Sequence, residues 1–223
     1  MRLAHLPFVK ICCISSVAEA RLAVQCGASA LGLVSAMPSG PGVIADELIT
    51  QIAATVAPPV ATFLLTSRQD ADSIIEQHRA CRTSTLQLVD HVAPAELRKL
   101  RRALTGISLV QVIHVTGEES VDEARAVAGF VDALLLDSGN QKLAVKELGG
   151  TGRTHDWRLS RRIRDEVGLP LFLAGGLNAA NVADAVQQVA PYGLDLCSSV
   201  RSDGRLDAAK LRRFFRALAT ARV

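Results

Sequence analysis

The sequence predicts an α/β fold, a (β/α)8 barrel built as a single domain over residues 1–223. Short runs rich in Leu, Ile and Val alternate with longer amphipathic segments along the whole chain, at about 28 residues per strand and helix pair. The apolar fraction is 49% although aromatic residues make up only 4%, which is typical of parallel strands buried under Ala-rich helices. An open doubly wound sheet is the alternative that this pattern leaves.

Each predicted strand is a short apolar run bounded by polar residues or glycine. The eight runs are VKICCI (9–14), ALGLV (30–34), VATFLLT (60–66), TLQLVD (85–90), LVQVIHV (109–115), ALLLD (133–137), LFLAG (171–175) and GLDLCS (193–198). Helical patterns lie between them: SVAEARLAVQCG is closed by Gly27, SVDEARAVAG begins at Ser120 as N-cap and is closed by Gly129, and another helix begins with Asn178 as its cap.

Charge and hydropathy argue against nucleic-acid and membrane partners. The net charge is +3, and the basic residues are interleaved with acidic ones at helical spacing, as in WRLSRRIRDEVG. No apolar run approaches the ~18 residues of a membrane span, and the N-terminus lacks a signal-peptide core. We therefore expect a cytoplasmic protein that is a monomer or a homodimer.

The cysteines predict neither disulfides nor a metal site. There are five, an odd number, none is spaced as CxxC, and no histidine cluster accompanies them; they are Cys12, Cys13, Cys26, Cys81 and Cys197. A reducing compartment fits this pattern.

Two polar side chains at predicted strand ends are candidates for chemistry. Asp137 ends the sixth strand, where a carboxylate either caps a loop or serves as a general acid or base. In the first strand, alternation places Cys12 on the same face as Lys10 and Ile14, and turns Cys13 away from it. A buried free cysteine is most often a small apolar residue, so packing and catalysis both stay open for Cys12.

Three loops predict a phosphate site at the mouth of the barrel. Glycine-rich turns that lead into helices expose backbone N–H groups, which bind phosphate together with the helix dipole. The loops after the last three strands of a barrel often converge on such a site. The candidate phosphate-binding residues are Gly149, Gly150, Thr151, Gly152, Gly175, Gly176, Ser198 and Ser199.

Several motifs occur in a fixed order along the chain. They are Lys10-Ile11-Cys12, Leu136-Asp137-Ser138, Gly149 to Gly152 followed by Asp156-Trp157, LAGGLNAANV, and GLDLCSSV. Together they resemble the phosphoribosylanthranilate isomerase family of tryptophan biosynthesis, whose members carry Lys-Ile-Cys-Gly, Leu-Asp-Ser, Gly-Gly-Thr-Gly with Asp-Trp, and Val-Asp-Val-Ser-Ser-Gly-Val. The resemblance runs from the first strand to the last helix.

The resemblance implies a cofactor-free Amadori rearrangement of a phosphorylated small-molecule substrate, from an aminoaldose to an aminoketose. It implies that Asp137 is the general acid that opens the furanose ring and that Cys12, as thiolate, is the base that removes the C2′ proton. No metal is implied. The candidate substrate-binding residues on this reading are Lys10, Gln87, His91 and Arg201.

The chain also departs from the family pattern on one side. The family's second loop carries Ser-Pro-Arg, whose arginine holds the anthranilate carboxylate, but SAMPSGPGVI has no arginine. Cys13 and Ser199 stand where the family has glycine, and Arg201 stands where it often has glutamate. Either a substitute cation holds the carboxylate, from among Arg68, His91, His155 and Arg201, or the substrate is a different phosphosugar adduct. A catalytically silent barrel that binds a phosphometabolite is a further alternative, which the retention of Cys12 and Asp137 disfavours.

Overall fold

The structure, a computed structural model, describes residues 6–139, 146–148 and 152–221. Eight parallel strands close into a barrel in chain order, because the first strand pairs with both the second and the eighth. The strands are β1 Phe8–Ile11, β2 Ala30–Val34, β3 Ala61–Thr66, β4 Thr85–Leu88, β5 Ser108–His114, β6 Ala133–Asp137, β7 Leu171–Leu173 and β8 Gly193–Leu196. The predicted barrel is confirmed, and the open sheet is excluded because it would leave two edges unpaired.

A helix follows every one of these strands and covers the outside of the barrel. The helices are α1 Val17–Gln25, α2 Asp46–Ala54, α3 Ala71–Cys81, α4 Pro94–Ala103, α5 Glu119–Ala128, α6 Trp157–Val167, α7 Val182–Val189 and α8 Ala208–Ala219. Between β8 and α8 lie a short 3-10 helix, Ser198–Val200, and a hairpin of β9 Arg201–Ser202 and β10 Arg205–Leu206. None of the helices in the described part of the chain is long and apolar enough to cross a membrane.

The barrel has two apolar layers because side chains alternate along each strand. On β2, Leu31 and Leu33 pack outward beneath the helices, whereas Ala30 and Val34 belong to the interior cluster. Phe63 contacts Phe172 edge-on inside the barrel, with ring centroids 5.8 Å apart. Strands buried on both faces explain why their sequences read as almost continuous apolar runs.

Several strands end earlier than the apolar runs predict. β1 ends at Ile11 and not at residue 14, and β8 ends at Leu196 and not at residue 198. Beyond β1 the chain bends because Cys13 has a left-handed backbone with φ of 61°. The residues after these strand ends therefore form the mouth of the barrel and do not extend its wall.

Two predicted helix caps are also corrected. Helix α5 begins at Glu119, so Ser120 lies inside its first turn, where its hydroxyl donates to the carbonyl of His114 at 3.3 Å. Helix α7 is preceded by Asn181, and Asn178 instead caps the turn before it by accepting from the N–H of Ala180 at 2.8 Å. In both places a side chain that could cap the helix forms a hydrogen bond with a backbone group of the preceding loop instead.

Candidate active site

An open cavity lies at the carboxyl ends of the strands. Every strand end contributes to its wall, through Cys12, Val34, Leu65, Gln87, Val112, Asp137, Ala174 and Leu196. In (β/α)8 barrels this is the end that holds active sites, because loops from all the strands meet there.

Cys12 projects into this cavity from the end of β1. It is buried, and its N–H donates to the carbonyl of Leu196 at 2.7 Å, which ties it to β8. A Cβ atom placed on Gly32 would lie 2.9 Å from Cys12 Sγ and 3.1 Å from Lys10 Nζ, so both groups border the space that this glycine leaves open. Lys10 is thus placed to stabilise a negative charge on the Cys12 sulfur.

Lys10 forms a buried ion pair in the barrel interior. Its Nζ is fully buried, lies 2.8 Å from Asp195 Oδ2 and stands over the Phe63 ring. Burial favours the neutral amine, but the attraction of Asp195 outweighs it and raises the pKa of Lys10, so the lysine stays charged. The pKa of Asp195 is raised by its burial, and Lys10 opposes this rise.

Asp137 reaches the same cavity from the end of β6, three strands around the barrel from β1. The carboxylate is largely buried, and its Oδ1 accepts the N–H of Ser138 at 2.7 Å. Because β1 and β6 are almost opposite each other, Cys12 and Asp137 approach a molecule in the cavity from two sides.

His155 lies beside Asp137 on the loop before α6. A Cβ atom on Gly175 would lie 3.2 Å from His155 Nδ1, and His155 Nε2 forms a 2.7 Å hydrogen bond with the Ser160 hydroxyl. Burial lowers the pKa of His155 to about 4, although the nearby Asp137 carboxylate opposes this shift. His155 is therefore neutral at neutral pH.

The described parts of the three predicted phosphate loops converge on one wall of the cavity. Gly152, Gly175, Gly176, Ser198 and Ser199 all line it. A Cβ atom on Gly176 would lie 2.8 Å from the backbone of Arg153 and Thr154, so loops six and seven can pack together only because this residue is glycine. Gly149, Gly150 and Thr151 lie outside the described residues.

Ser199 adds an unused donor to this wall. Its hydroxyl is buried and has no hydrogen-bond partner among the described residues. It belongs to the short 3-10 helix that follows β8, whose first N–H groups have no partners within the helix. A buried polar group of this kind is satisfied when an oxygen-rich ligand such as phosphate binds.

The opposite wall of the cavity is apolar and comes from the loop after β2. Met37, Gly40 and Pro41 line it, together with Leu65 and Leu148. Leu148 belongs to residues 146–148, which hold the loop in place because the Ser39 hydroxyl donates to the carbonyl of Lys146 and accepts the N–H of Leu148. Among the described residues that line the cavity, none is Arg, Lys or His.

The comparisons with known proteins agree with this geometry. The family model described as N-(5'phosphoribosyl)anthranilate (PRA) isomerase matches residues 9–217. The N-(5'-phosphoribosyl)anthranilate isomerase of Methanocella arvoryzae is 32% identical over 93% of this chain and 95% of its own length. That of Haloferax volcanii is 35% identical over 96% of this chain and 94% of its own.

The chain belongs to the N-(5'-phosphoribosyl)anthranilate isomerase family. Among solved structures, a phosphoribosyl anthranilate isomerase in complex with reduced 1-(o-carboxyphenylamino)-1-deoxyribulose 5-phosphate has a TM-score of 0.79 and 25% identity, covering 96% of this chain and 98% of the other. The resemblance drawn from the motifs is therefore confirmed.

The four residues predicted for substrate binding from this family resemblance have different positions. Gln87 lines the cavity, and its Oε1 is buried without a partner in the described structure. Lys10 lies below the cavity in its pair with Asp195. His91 is exposed on the loop after β4 and is not part of the cavity wall.

Arg201, which stands where this family often has glutamate, holds the first loop and does not line the cavity. Its side chain is only 9% exposed, and its guanidinium lies 3.1 Å from Glu19. It also donates to the carbonyls of Cys12 and Cys13. The Arg201 guanidinium lowers the pKa of Glu19, although burial of Glu19 acts in the opposite direction.

Neither of the other two candidate replacements for the family arginine lines the cavity. Arg68 donates to the carbonyl of Ser73 at 3.1 Å beside the start of α3. His155 is neutral for the reason given above and lies near Asp137, away from the loop after β2.

Cys13 does not point outward as strand alternation predicts. It lines the cavity beside Cys12, and its Sγ lies 2.8 Å from Cys197 Sγ and 3.4 Å from the carbonyl of Pro41. The prediction was wrong because β1 ends before Cys12 and the left-handed backbone at Cys13 reverses the alternation. For the same reason Ile14 packs in the outer layer and not on the face of Lys10.

Two residues that line the cavity, Asp195 and Cys197, are not among those predicted from the sequence. Asp195 could have been found, because a charged residue between Leu194 and Leu196 in a buried strand needs a partner, and Lys10 occupies an inward position of the first strand. Cys197 could not be predicted from the sequence, because its proximity to Cys13 depends on the pairing of β1 with β8.

Proposed function

We propose that the protein catalyses the cofactor-free Amadori rearrangement of N-(5'-phosphoribosyl)anthranilate to its 1-deoxyribulose 5-phosphate derivative. The observation that carries the proposal is that Cys12 and Asp137 enter one cavity from nearly opposite strands, beside a wall of glycine and serine loops. A general acid and a general base on two sides of the sugar are what ring opening followed by proton removal from carbon requires.

The reaction begins at Asp137. In its protonated form it donates to the furanose ring oxygen, the ring opens, and the nitrogen of the aglycone forms a Schiff base with C1′. Its place at the end of β6, largely buried, keeps bulk water away from this proton transfer.

Cys12 then acts as the base. As a thiolate it removes the proton from C2′, and the resulting enolamine tautomerises to the ketone. Lys10, which borders the same space under Gly32, supports the negative sulfur electrostatically.

In this proposal the phosphate group is held by backbone N–H groups and one hydroxyl group, without a charged side chain from the described lining. Backbone N–H groups around Gly175, Gly176 and Ser198 and the unpaired hydroxyl of Ser199 face the cavity. They would fix the 5′-phosphate so that C1′ and C2′ lie between Asp137 and Cys12.

The test is to give purified protein N-(5'-phosphoribosyl)anthranilate and to follow the loss of its fluorescence. Cys12→Ala and Asp137→Asn are each expected to lower the rate by about a thousandfold, the range for loss of a catalytic proton-transfer group. Cys26→Ala is the matched control, because Cys26 lies at the end of α1, outside the cavity wall. Full activity in Cys12→Ala would refute its role as base while leaving the acid assignment intact.

A second candidate, an isomerase acting on a different phosphosugar adduct, is favoured by one observation. The cavity wall near Met37 and Pro41 offers no cation for an anthranilate carboxylate among the described residues. Phosphate binding without any turnover of phosphoribosylanthranilate would favour this candidate or a silent barrel. Turnover of an adduct with an uncharged aglycone would then favour the isomerase over the silent barrel.

We also propose that the enzyme works in the cytoplasm, as a monomer or homodimer. In the described structure all five cysteines are free, as a reducing compartment would keep them. Sedimentation equilibrium of the purified protein tests the subunit number directly.

A further inference from the structure

Three of the five cysteines gather at the mouth of the barrel. Cys12, Cys13 and Cys197 all line the cavity, which is open to solvent. Cys13 Sγ and Cys197 Sγ are 2.8 Å apart, less than 1 Å longer than the ~2.05 Å bond of a disulfide. The rearrangement assigned to Cys12 and Asp137 uses neither of these two sulfurs.

The backbone fixes this proximity. β1 pairs with β8 so that Ile11 lies opposite Leu196, and the N–H of Cys12 donates to the carbonyl of Leu196 at 2.7 Å. Arg201 holds the turn from the other side through the carbonyls of Cys12 and Cys13. The two thiols therefore face each other across the seam where the barrel closes, 184 positions apart in the chain.

The two sulfurs differ in reactivity. Cys197 is half-buried, and its pKa is lowered by the Cys13 thiol beside it and by the Arg201 guanidinium, although burial acts against this shift. The neighbouring Cys12 thiol, the Cys197 thiol and burial raise the pKa of Cys13. Cys197 is therefore the thiol of the pair that loses its proton first, and it is the less buried of the two sulfurs.

We propose that Cys13 and Cys197 form a redox-active pair that closes to an intramolecular disulfide when the protein meets a peroxide. The Cys197 thiolate attacks one oxygen of hydrogen peroxide, which breaks the O–O bond and gives a sulfenic acid and hydroxide. Cys13 then attacks the sulfenic sulfur, the S–S bond forms, and the displaced hydroxyl leaves as water with the Cys13 proton. Two thiols and one peroxide give one disulfide and two waters.

Cys12 is spared in this reaction although it is the immediate neighbour of Cys13. Consecutive Cα atoms lie 3.80 Å apart across a trans peptide, whereas disulfides usually join Cα atoms separated by 4.4–6.8 Å. Cys13 therefore pairs with Cys197 across the seam, and the pair consumes peroxide that would otherwise oxidise the thiol assigned as base.

The test is a thiol map of the protein after stoichiometric hydrogen peroxide, with N-ethylmaleimide alkylation of the unfolded chain and mass spectrometry. Wild type is expected to lose two of its five alkylatable thiols, to yield a peptide cross-linked through Cys13 and Cys197, and to regain all five thiols with dithiothreitol. Cys26→Ser, which removes a half-buried cysteine outside the cavity, should form the same cross-link.

Two variants keep the test decisive. Cys197→Ser should form no disulfide, and so should Cys13→Gly, which also relieves the left-handed backbone at this position and is therefore expected to fold. A cross-link that contains Cys12, or five thiols still alkylatable in peroxide-treated wild type, would overturn the proposal. Neither readout depends on turnover, so the outcome is independent of the proposed isomerase function.

Discussion

The two walls of the cavity differ in how they are built. The proposed sugar-phosphate wall, formed by the loops after β6, β7 and β8, is lined by Gly152, Gly175, Gly176, Ser198 and Ser199. The proposed aglycone wall consists of Met37, Gly40 and Pro41 on the loop after β2, with Leu65 near the end of β3 and Leu148 on the loop after β6. The first wall retains the family pattern in the described residues except at Cys197 and Ser199, while the second lacks the family's arginine.

In the proposed function, the two halves of the substrate are recognised by different groups of loops. The grip on phosphate depends on backbone positions, which tolerate little change because loops six and seven touch at Gly176. The grip on the aglycone depends mainly on side chains of the loop after β2, which Ser39 joins to residues 146–148 of the loop after β6. These side chains can change without moving the strand ends that carry Cys12 and Asp137. Specificity for the aglycone can therefore drift while the chemistry stays in place.

The largest effect is expected from a glycine substitution on the sugar-phosphate wall. Gly176→Ala puts a methyl group 2.8 Å from the backbone of loop six and should separate the phosphate-binding N–H groups. Loss of two hydrogen bonds at ~1.4 kcal/mol each would weaken competitive inhibition by inorganic phosphate about a hundredfold. The measurement is the inhibition constant of phosphate in the fluorescence assay.

Gly42→Ala is the matched change on the aglycone side. Its methyl group would meet Cys13 Cα at 2.9 Å and displace the loop after β2. Inhibition by phosphate should stay within about twofold of wild type because Gly42 does not belong to the loops proposed to hold phosphate. Equal losses of phosphate affinity in both variants would show that the walls act as one unit.

A histidine beside the sugar-phosphate wall should make the free energy of unfolding depend on pH. The pKa of His155, beside the sugar-phosphate wall, is about 4, below the ordinary value of 6.5, so the unfolded chain binds a proton that the folded protein does not bind between these values. Its contribution to stability is therefore fully present above pH 6.5 and is lost as the pH falls towards 4. In His155→Gln, the acid-dependent fall in the free energy of unfolding should be smaller by roughly 2 kcal/mol. This is less than the whole pKa shift would give, because the His155 side chain is only partly buried.

Urea unfolding at pH 7 and at pH 4.5 measures this effect. The free energy of unfolding should fall less between the two pH values in His155→Gln than in wild type. His91→Gln, which changes an exposed histidine outside the cavity, serves as the control and should behave as wild type. Parallel pH dependence in all three proteins would contradict the low pKa assigned to His155.

Features that are local to one strand could be predicted from the sequence, whereas contacts between distant segments could not. The barrel, Asp137 and the convergence of the loops followed from periodicity and motif order, because these features are local to each strand and its end. The orientation of Cys13 did not, because one left-handed residue reverses the alternation on which the prediction relied. The Cys13–Cys197 contact and the Lys10–Asp195 pair depend on which strands close the barrel, and so appear only in three dimensions.

The smallest expected effect, and the most direct test of the aglycone wall, is to supply the missing charge. Pro41 lines the cavity on the loop after β2, and its carbonyl already faces Cys13, so an arginine there starts from a fixed backbone position. Pro41→Arg should lower KM for phosphoribosylanthranilate about tenfold with little change in kcat, because one charge-assisted hydrogen bond at a solvated site stabilises substrate and transition state equally. Pro41→Gln removes the same ring without adding charge and should leave KM near that of wild type. If both variants bind the substrate as wild type does, the carboxylate is already neutralised, and the apolar character of this wall is not what sets the choice of aglycone.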